Sequence, residues 1–457
     1  LKPAWSKTNL SRNSLKQVLS GWDVFFIAVG QIIGAGVIAL TGIAIGMTGP
    51  SVIFAYLLSA VLVLIVTILI MMAGSVLPAV GAYYSWCSRL SGGWIGSIVL
   101  SLILLASVSL SLYGSSFGLY LNPLFPILTA NQWGICVIVL LFLANLLGLQ
   151  LAAKVQFALV AILVSALAIY AGFAMPKIEL SLLQPWLPEG IIGFVTAVFL
   201  LKFATSGAYM IVGLSGEMKN PRRVIPIVMT TATIVVAVLY AFVALASVGV
   251  VPWQEMINKP LTVAGEQFLP GWAMTYFLVG GAGLAICTTL NSQFIQLPRT
   301  FIVASWDQLI PESFGRLNRF GAPYFILGIM MAVGVIPLIV GLDIGDIARA
   351  ATISASLPSI FVYWSLTRIH TRYPEQYANS MFNMKPVWIW ALFVFSELST
   401  FVGIYFLSRD LSSTVIWSLV IWSVVAVAYY PVRKRFLAKQ GFDLDAATSD
   451  ESIFQHD

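Results

Sequence analysis

The feature that most constrains this chain is a series of about a dozen apolar runs, each long enough for a membrane helix, which needs about 20 residues. Only 9% of the residues are charged, and 59% are hydrophobic. A soluble domain carries roughly 25% charged residues, so this composition does not suit a water-soluble core and surface. The sequence therefore predicts an all-α integral membrane protein.

Prolines and charged residues separate the apolar runs and set the predicted boundaries. Counted in this way, the chain is predicted to contain twelve transmembrane helices. They cover residues 22–46, 50–75, 93–121, 133–150, 155–175, 190–214, 224–250, 272–298, 322–341, 346–368, 386–407 and 412–432.

Basic residues are distributed unevenly around these predicted spans. All but five of the 24 Lys and Arg residues fall on the side of the N-terminus. Because Lys and Arg concentrate in cytoplasmic segments, we expect a multi-pass protein of the plasma (inner) membrane with both termini cytoplasmic. Residues 1–21 and 433–457 are the predicted cytoplasmic tails. The five exceptions are Lys177, Lys259, Arg349 and Arg409 on the opposite side and Lys202 within a span.

The net charge of +6 does not indicate a nucleic-acid partner, because the charges lie in loops between apolar runs. Cys87, Cys136 and Cys287 match no metal-binding or disulfide spacing. The spans contain no visible nucleophile–base set or phosphate-binding loop. We therefore expect neither an enzyme nor a protein with a cofactor or metal. The expected partners are the lipid bilayer and a small molecule, and the sequence does not define an oligomeric state.

The first span contains two glycines two residues apart, in Ile33-Gly34-Ala35-Gly36-Val37. Glycine weakens a helix but lets the backbone leave helical geometry. Non-helical backbone inside a membrane is tolerated where it lines a cavity or is buried in protein. One interpretation is a break that turns backbone groups towards a ligand. The other is helix packing, although packing glycines usually follow the spacing Gly-x-x-x-Gly.

A second polar cluster, Thr205-Ser206-Gly207, lies in the middle of the sixth span. Interruptions at corresponding positions of two halves indicate the substrate site of an inverted-repeat transporter. Residues 22–175 are then the first repeat of five helices and residues 190–368 the second. Two additional C-terminal helices follow in residues 386–432. This second interruption favours the binding interpretation of Gly34–Gly36.

Several motifs give the chain a resemblance to the amino acid–polyamine–organocation transporter superfamily. The resemblance covers nearly the whole chain and implies a LeuT-like fold with a five-plus-five inverted repeat. It also implies a secondary amino acid permease, working as a symporter or an antiporter. The motifs are Gly34-Ala35-Gly36-Val37, Pro78-x-x-Gly81-Ala82-Tyr83, the segment 217–226, and the segments 307–314 and 318–323.

The resemblance also implies where a substrate binds. The substrate carboxylate is expected on the backbone amides of Ile33, Gly34, Ala35 and Gly36, where a helix N-terminus offers free N–H groups. Matching Gly207 to the glycine of the family's sixth span places the substrate ammonium on nearby carbonyl groups. The Phe203 ring is either an aromatic lid over the substrate or a core side chain. The expected carbonyl groups belong to Phe203, Ala204 and Ser206.

Lys202 departs from the family pattern, because it is the single basic residue placed deep in a span. Some sodium-independent relatives carry a fifth-span lysine, but the matching position here is Leu163. Intramembrane charges are costly and are functional candidates by default. Three roles stay open for Lys202: a titrating group coupled to protons, a fixed cation that attracts a substrate or pins helices, or a group in a water-filled vestibule.

The substrate class follows from the absence of acidic residues in the central parts of spans 1, 3, 6, 8 and 10. A dicationic substrate needs a counter-charge at low dielectric. A small neutral α-amino acid is therefore favoured, with protons or a counter-substrate as coupling partners. Residues 288–293 either bind sodium or bond across helices, and sodium independence is favoured. The alternatives are an acidic amino acid, an amine or polyamine, and a non-transporting sensor.

Two further residues are candidates for gating. Gln31 lies one turn before the first interruption and either orients the backbone or bonds to a neighbouring helix. Glu217 ends the sixth span and either forms an inner-gate ion pair, with Arg89 or Lys154, or caps the helix in solvent.

Overall fold

The computed structural model describes residues 19–79, 81–122, 125–146, 152–319, 322–382 and 384–451. Within these ranges the regular secondary structure is helical, apart from one isolated bridge between Leu19 and Met218. The α-helices in chain order are α1 (Gly21–Ile32), α2 (Ala35–Thr48), α3 (Val52–Val76), α4 (Ala82–Ser91), α5 (Gly93–Leu105), α6 (Ser109–Leu121), α7 (Ala130–Leu146), α8 (Ala152–Ala174), α9 (Gly190–Thr205), α10 (Pro221–Val248), α11 (Thr262–Gly265), α12 (Gly271–Tyr276), α13 (Leu284–Trp306), α14 (Glu312–Gly315), α15 (Tyr324–Val340), α16 (Ile344–Leu366), α17 (Ile369–Arg372), α18 (Pro374–Ala378), α19 (Pro386–Ser408), α20 (Ser413–Ala438) and α21 (Leu444–Thr448).

Each predicted apolar run contains a helix, as expected for segments that satisfy their backbone groups internally in lipid. Nine helical stretches of the described residues are long and apolar enough to cross a membrane. Ala130–Leu146 and Tyr324–Val340 are apolar but shorter. The all-helical membrane class is therefore confirmed, whereas the count of twelve spans and the inverted repeat remain predictions.

The centre of the bundle is built around the first and sixth predicted spans. Helix α3 packs along α10 and α9, α2 packs along α9, and α1 lies against α10. A 3-10 helix, Gly207–Glu217, continues from α9 and also contacts α1. The two glycine-containing interruptions therefore lie side by side, surrounded by α3, α10 and α13.

Helices α19 and α20 lie at the periphery. An 18-residue stretch of α19 is only 28% buried inside the protein, and one of α20 only 17%. Large apolar side chains project outward from both, such as Leu398 and Trp417. Helix α19 packs against α16, α3 and α9, while α20 packs against α5. These exposed apolar surfaces suit contact with lipid.

One end of the bundle, here called the basic end, carries Arg89, Lys219, Arg222 and Arg299. The Lys219 N–H donates to the Leu19 carbonyl over 2.9 Å, and the Ser75 hydroxyl donates to the Arg222 carbonyl over 3.0 Å. These bonds tie the starts of α1 and α10 to the end of α3. The predicted tail 1–21 lies outside the described residues up to residue 18.

At the opposite end, the segment 257–261 is bonded to α2 and α6. The Asn258 N–H donates to the Gly42 carbonyl over 3.1 Å, and the Leu261 N–H donates to the Tyr120 hydroxyl over 3.1 Å. The Tyr120 hydroxyl in turn donates to the Ile38 carbonyl over 3.2 Å. A Cβ at Gly42 would overlap the backbone of the segment, so the fit is tight.

Candidate functional site

The first span is interrupted between α1 and α2 at Ile33 and Gly34. The Ile33 N–H donates to the Val29 carbonyl over 2.8 Å, and the Gly34 N–H donates to the Ile32 carbonyl over 2.9 Å. Ala35 and Gly36 already belong to the first turn of α2, and Gly34 provides no side-chain cap for that helix. The first N–H groups of a helix have no partner within it.

The amides at the first interruption differ in whether they already have a backbone partner in this structure. The amides of Ile33 and Gly34 are engaged in backbone bonds, so the free donors at this interruption narrow to the start of α2 at Ala35 and Gly36. The break is also shifted by one residue towards the N-terminus from the predicted Gly34–Gly36. The reason is that Gly34, in an extended conformation with φ −122° and ψ −145°, supplies the N-cap position.

The sixth span is interrupted at Ser206, between α9 and the 3-10 helix 207–217. The Ser206 hydroxyl donates to the Phe203 carbonyl over 3.1 Å. The Thr205 hydroxyl donates to the Leu201 carbonyl over 3.1 Å. The Ser206 N–H also donates to the Phe203 carbonyl, over 3.5 Å, so both lone pairs of that oxygen have a partner in this structure. The last carbonyls of α9 are the negative pole of that helix.

The two interruptions are in van der Waals contact, and glycine makes this contact possible. A Cβ added at Gly36 would lie 2.8 Å from the Cα of Ala204. A Cβ added at Gly207 would lie 2.5 Å from the backbone carbonyl oxygen of Gln31. The N-terminus of α2 therefore meets the C-terminus of α9 in the middle of the bundle. Gln31 itself has a buried side chain.

Neighbouring helices fix the first interruption. The Tyr240 hydroxyl of α10 donates to the Ile32 carbonyl over 2.8 Å. A Cβ at Gly34 would overlap the Thr289 side chain of α13. The Thr288 and Thr289 hydroxyls both donate to the Ala285 carbonyl in their own helix, over 2.8 and 3.0 Å. The break is thus bonded by the Tyr240 hydroxyl and packed against the Thr289 side chain, so its backbone has no room to shift.

Two cavities lie next to the second interruption. One, of about 130 Å³, extends from Phe203 and Tyr209 towards Arg299 at the basic end. The other, of about 60 Å³, is lined by polar side chains that include Lys202 and Ser206. Both share Phe203, whose ring centroid lies 6.4 Å from that of Tyr113. Neither cavity is lined by residues 33–36.

Lys202 lines the smaller cavity and lies close enough to Glu397 of α19 to interact with it electrostatically. Both carboxylate oxygens of Glu397 are buried without a hydrogen-bond partner. The sequence placed Glu397 outside the repeat core as a structural or interhelical residue. Its proximity to Lys202 depends on the packing of α19 against α9, which no local sequence signal predicts.

An ion pair connects Arg89 of α4 to Asp307, which directly follows α13. Two Arg89 nitrogens bond the two Asp307 oxygens over 2.6 and 2.9 Å, and the Tyr84 hydroxyl donates to Asp307 over 2.6 Å. Burial lowers the pKa of Arg89, but its bonds to Asp307 raise that pKa more, so the net shift is upward. Asp307 is a partner of Arg89 that the sequence analysis did not name. The side chains of Glu217 and Lys154 lie outside the described residues.

The fold and the site together define a helical membrane protein with two interrupted helices in contact at its centre. A family model described as amino acid permease matches residues 19–429. The chain therefore belongs to the amino acid permease family, a family of membrane transporters. This confirms the resemblance to the amino acid–polyamine–organocation superfamily.

Curated relatives are similar to this chain at low identity. The branched-chain amino acid permease BcaP of Lactococcus lactis subsp. cremoris is 26% identical over 434 residues, which cover 86% of this chain and 92% of the relative. The serine/threonine exchanger SteT of Bacillus subtilis is 25% identical over 347 residues, 72% of this chain and 78% of the relative. The vacuolar cationic amino acid transporter 8 of Arabidopsis thaliana is 26% identical over 340 residues, 67% of this chain and 56% of the relative.

Proposed function

We propose that this protein is a secondary transporter that carries a small neutral α-amino acid across the cell membrane by alternating access. The observation that carries the proposal is the contact between the N-terminus of α2 and the C-terminus of α9 at Gly36 and Ala204. One helix end presents N–H groups and the other presents carbonyl groups. These two poles complement the carboxylate and the ammonium of a zwitterion.

In this proposal the substrate carboxylate binds the amides of Ala35 and Gly36, and the ammonium binds carbonyls of Phe203, Ala204 and Ser206. Gly207 lets the second interruption approach α1, and Phe203 separates the bound substrate from the cavities. Because Gly36 and Ala204 are in contact in this conformation, binding requires the two helix ends to separate by the width of a small ligand.

The proposed architecture has twelve spans, with repeats at 22–175 and 190–368 and two further helices in 386–432. Support comes from the helix in every predicted run and from the basic end, which favours cytoplasmic termini under the positive-inside rule. The larger cavity then opens towards the cytoplasm, and the segment 257–261 covers the outer side. This combination corresponds to an inward-facing, outward-closed conformation.

The lining of the two described cavities supports a neutral substrate. It includes the cations Lys202 and Arg299 but no Asp or Glu. A second cationic group on the substrate would lack a counter-charge there. The names of two relatives, for branched-chain amino acids and for serine and threonine, agree with a neutral substrate. An acidic amino acid is the second candidate, because Lys202 lies one residue from Phe203.

We also propose that transport does not require sodium. The Thr288 and Thr289 hydroxyls are engaged with Ala285, so they enter a sodium site only by giving up these bonds. Replacing sodium by choline on both sides of the membrane should therefore leave the transport rate unchanged, and a loss of transport would refute this part of the proposal.

The test of function is counterflow in proteoliposomes. Vesicles loaded with unlabelled leucine, serine, glutamate, lysine or the amine that matches leucine are given the same compound in labelled form outside. We expect labelled leucine or serine to enter well above empty vesicles, with little entry of lysine or the amine. Entry of glutamate alone would favour the acidic alternative. Thermal stabilisation by an amino acid without any counterflow would indicate a sensor and overturn the transport proposal.

A further inference from the structure

The small cavity beside the sixth-span interruption lies inside the membrane region and has a mixed lining of apolar and polar side chains. Its volume of about 60 Å³ can hold a few water molecules, since one water needs roughly 10–15 Å³ of such volume. Hydroxyl groups from four different elements line it together with Lys202. They belong to Thr67 of α3, Tyr83 of α4, Ser206 and Tyr209 near the interruption, and Thr352, Ser356, Ser359 and Tyr363 of α16.

Glu397 approaches this space from the lipid-facing side. It lies on α19 between Val394 and Leu398, which are 58% and 61% exposed at the surface of the bundle. Its two carboxylate oxygens are nevertheless buried and accept no hydrogen bond. Tyr363, which lines the small cavity, also lies within electrostatic range of Glu397. The carboxyl group thus lies within electrostatic range of two residues that line the small cavity, Lys202 and Tyr363.

Lys202 and Glu397 interact electrostatically but do not form a direct ion pair. No ion pair within 4.0 Å or hydrogen bond joins them among the described residues. An isolated ionised carboxylate in such surroundings is costly, and so is an isolated ammonium. The charge of each group therefore depends on the charge of the other, and one proton more or less changes the charge of the whole pair.

The remaining titratable groups around the pair are phenols and a thiol. Tyr83 and Cys87 lie on α4, Tyr209 on the 3-10 helix and Tyr363 on α16. In the described surroundings the carboxylate within electrostatic range of Lys202 is Glu397. Phenols and thiols stay neutral at physiological pH when unperturbed, so proton exchange near neutral pH falls to Lys202 and Glu397.

We propose that Lys202 and Glu397 form the proton-binding site that couples amino acid movement to the proton gradient. This inference rests on the proposed transport function. When the site faces outward, a proton from the outer solution forms an O–H bond with a Glu397 oxygen, and the net charge of the pair changes from zero to +1. When the site faces inward, that O–H bond breaks and the proton passes to water in the cavity.

The position of Lys202 in α9 explains how such a charge change reaches the substrate. Lys202 precedes Phe203, whose ring borders both cavities. The Thr205 hydroxyl also donates to the Lys202 carbonyl over 3.4 Å, within the last turn before the interruption. A change of charge at the pair therefore acts on the same helix end whose carbonyls are proposed to hold the substrate ammonium.

The experiment measures substrate accumulation and lumenal pH in proteoliposomes with a pH dye inside and the membrane potential clamped. With the lumen more alkaline by one pH unit, coupling of one proton per substrate supports about tenfold accumulation. The wild type should accumulate substrate and acidify the lumen. Glu397→Gln and Lys202→Met should keep counterflow but lose accumulation and acidification. Glu397→Asp, which keeps an ionisable group, should retain both.

Glu375→Gln and Lys439→Met are matched controls, because both side chains are exposed and far from the cavity. They should behave like the wild type. Proton-driven accumulation that persists in a folded Glu397→Gln protein would overturn the inference. If that variant does not fold, persistent accumulation in Lys202→Met is decisive in the same way. Wild-type counterflow without any lumenal pH change would refute coupling alone, whereas no wild-type counterflow would refute the transport function.

Discussion

The two interrupted helices differ in which groups bond the backbone at the break. The first break separates two α-helices by two residues, and its Ile32 carbonyl accepts from both the Gly34 N–H and the Tyr240 hydroxyl of another helix. The second break passes from an α-helix into a 3-10 helix and is bonded by its own Ser206. Ile33 is fully buried, whereas Phe203 borders two cavities. The comparison indicates that other helices hold the backbone of the first break in place, whereas the second break has open space beside it.

The difference follows from the residues at each break. Gly34 and Gly36 remove side chains, so neighbouring helices approach the backbone directly and fill the space. Thr205 and Ser206 carry hydroxyls that bond their own backbone, which is how such residues compete with regular helix geometry. The second break is therefore less dependent on its neighbours, and open space can exist beside it.

The largest expected effect comes from filling the contact between the breaks. Gly36→Leu and Gly207→Ala place atoms against Ala204 and the Gln31 carbonyl, so the helix ends cannot keep their spacing. Both variants should insert into the membrane but lose uptake. Gly328→Ala is the matched control, because nothing lies within 4 Å of the added Cβ. Wild-type uptake by Gly36→Leu or Gly207→Ala would contradict both the contact and the proposed site.

Substitutions at Ile33 and Phe203 should affect different properties, because Ile33 is buried and Phe203 borders two cavities. Ile33→Ala should lower the free energy of unfolding by about 2–5 kcal/mol, the usual range for a buried isoleucine. Phe203→Ala should lower it less, because its ring already borders open space. It should instead change the ranking of amino acids in counterflow. Thermal unfolding in detergent and a counterflow series would measure the two effects. A larger stability loss for Phe203→Ala, with an unchanged ranking, would reverse the comparison.

The smallest effects should come from the single hydrogen bonds. Tyr240→Phe removes a bond between helices and should cost about 1 kcal/mol. Ser206→Ala should cost less, because the Ser206 N–H still donates to the Phe203 carbonyl over 3.5 Å. Tyr405→Phe, at a side chain that is 61% exposed, is the control for loss of a hydroxyl. Equal melting temperatures for Tyr240→Phe and Tyr405→Phe would show that the first break does not depend on α10.

Local patterns were sufficient to predict the helices and both interruptions. Apolar runs define membrane helices because lipid forces backbone groups to bond internally. The pairs Gly34–Gly36 and Ser206–Gly207 mark breaks because they lower helix stability where the chain is otherwise uniformly apolar. The shift of the first break by one residue lies within the usual uncertainty of helix ends.

Contacts between distant residues could not be predicted in this way. Arg89 and Asp307 are 218 positions apart, and nothing near either residue specifies the other. The same holds for Lys202 and Glu397, which meet because α19 packs against α9. The roles expected for the amides at Ile33–Gly36 and for the carbonyls at Phe203, Ala204 and Ser206 stay predictions until a ligand is observed.

In the proposed transport cycle, the segment 257–261 would give the protein a preferred resting conformation. The Asn258 and Leu261 N–H groups bond to Gly42 of α2 and Tyr120 of α6, and Tyr120 in turn bonds to Ile38 of α2. At about 1 kcal/mol each, the two bonds made by the segment favour the closed conformer over an open one by roughly thirtyfold. Weakening this latch would shift unoccupied molecules towards the extracellular-facing form and raise the apparent affinity for external substrate.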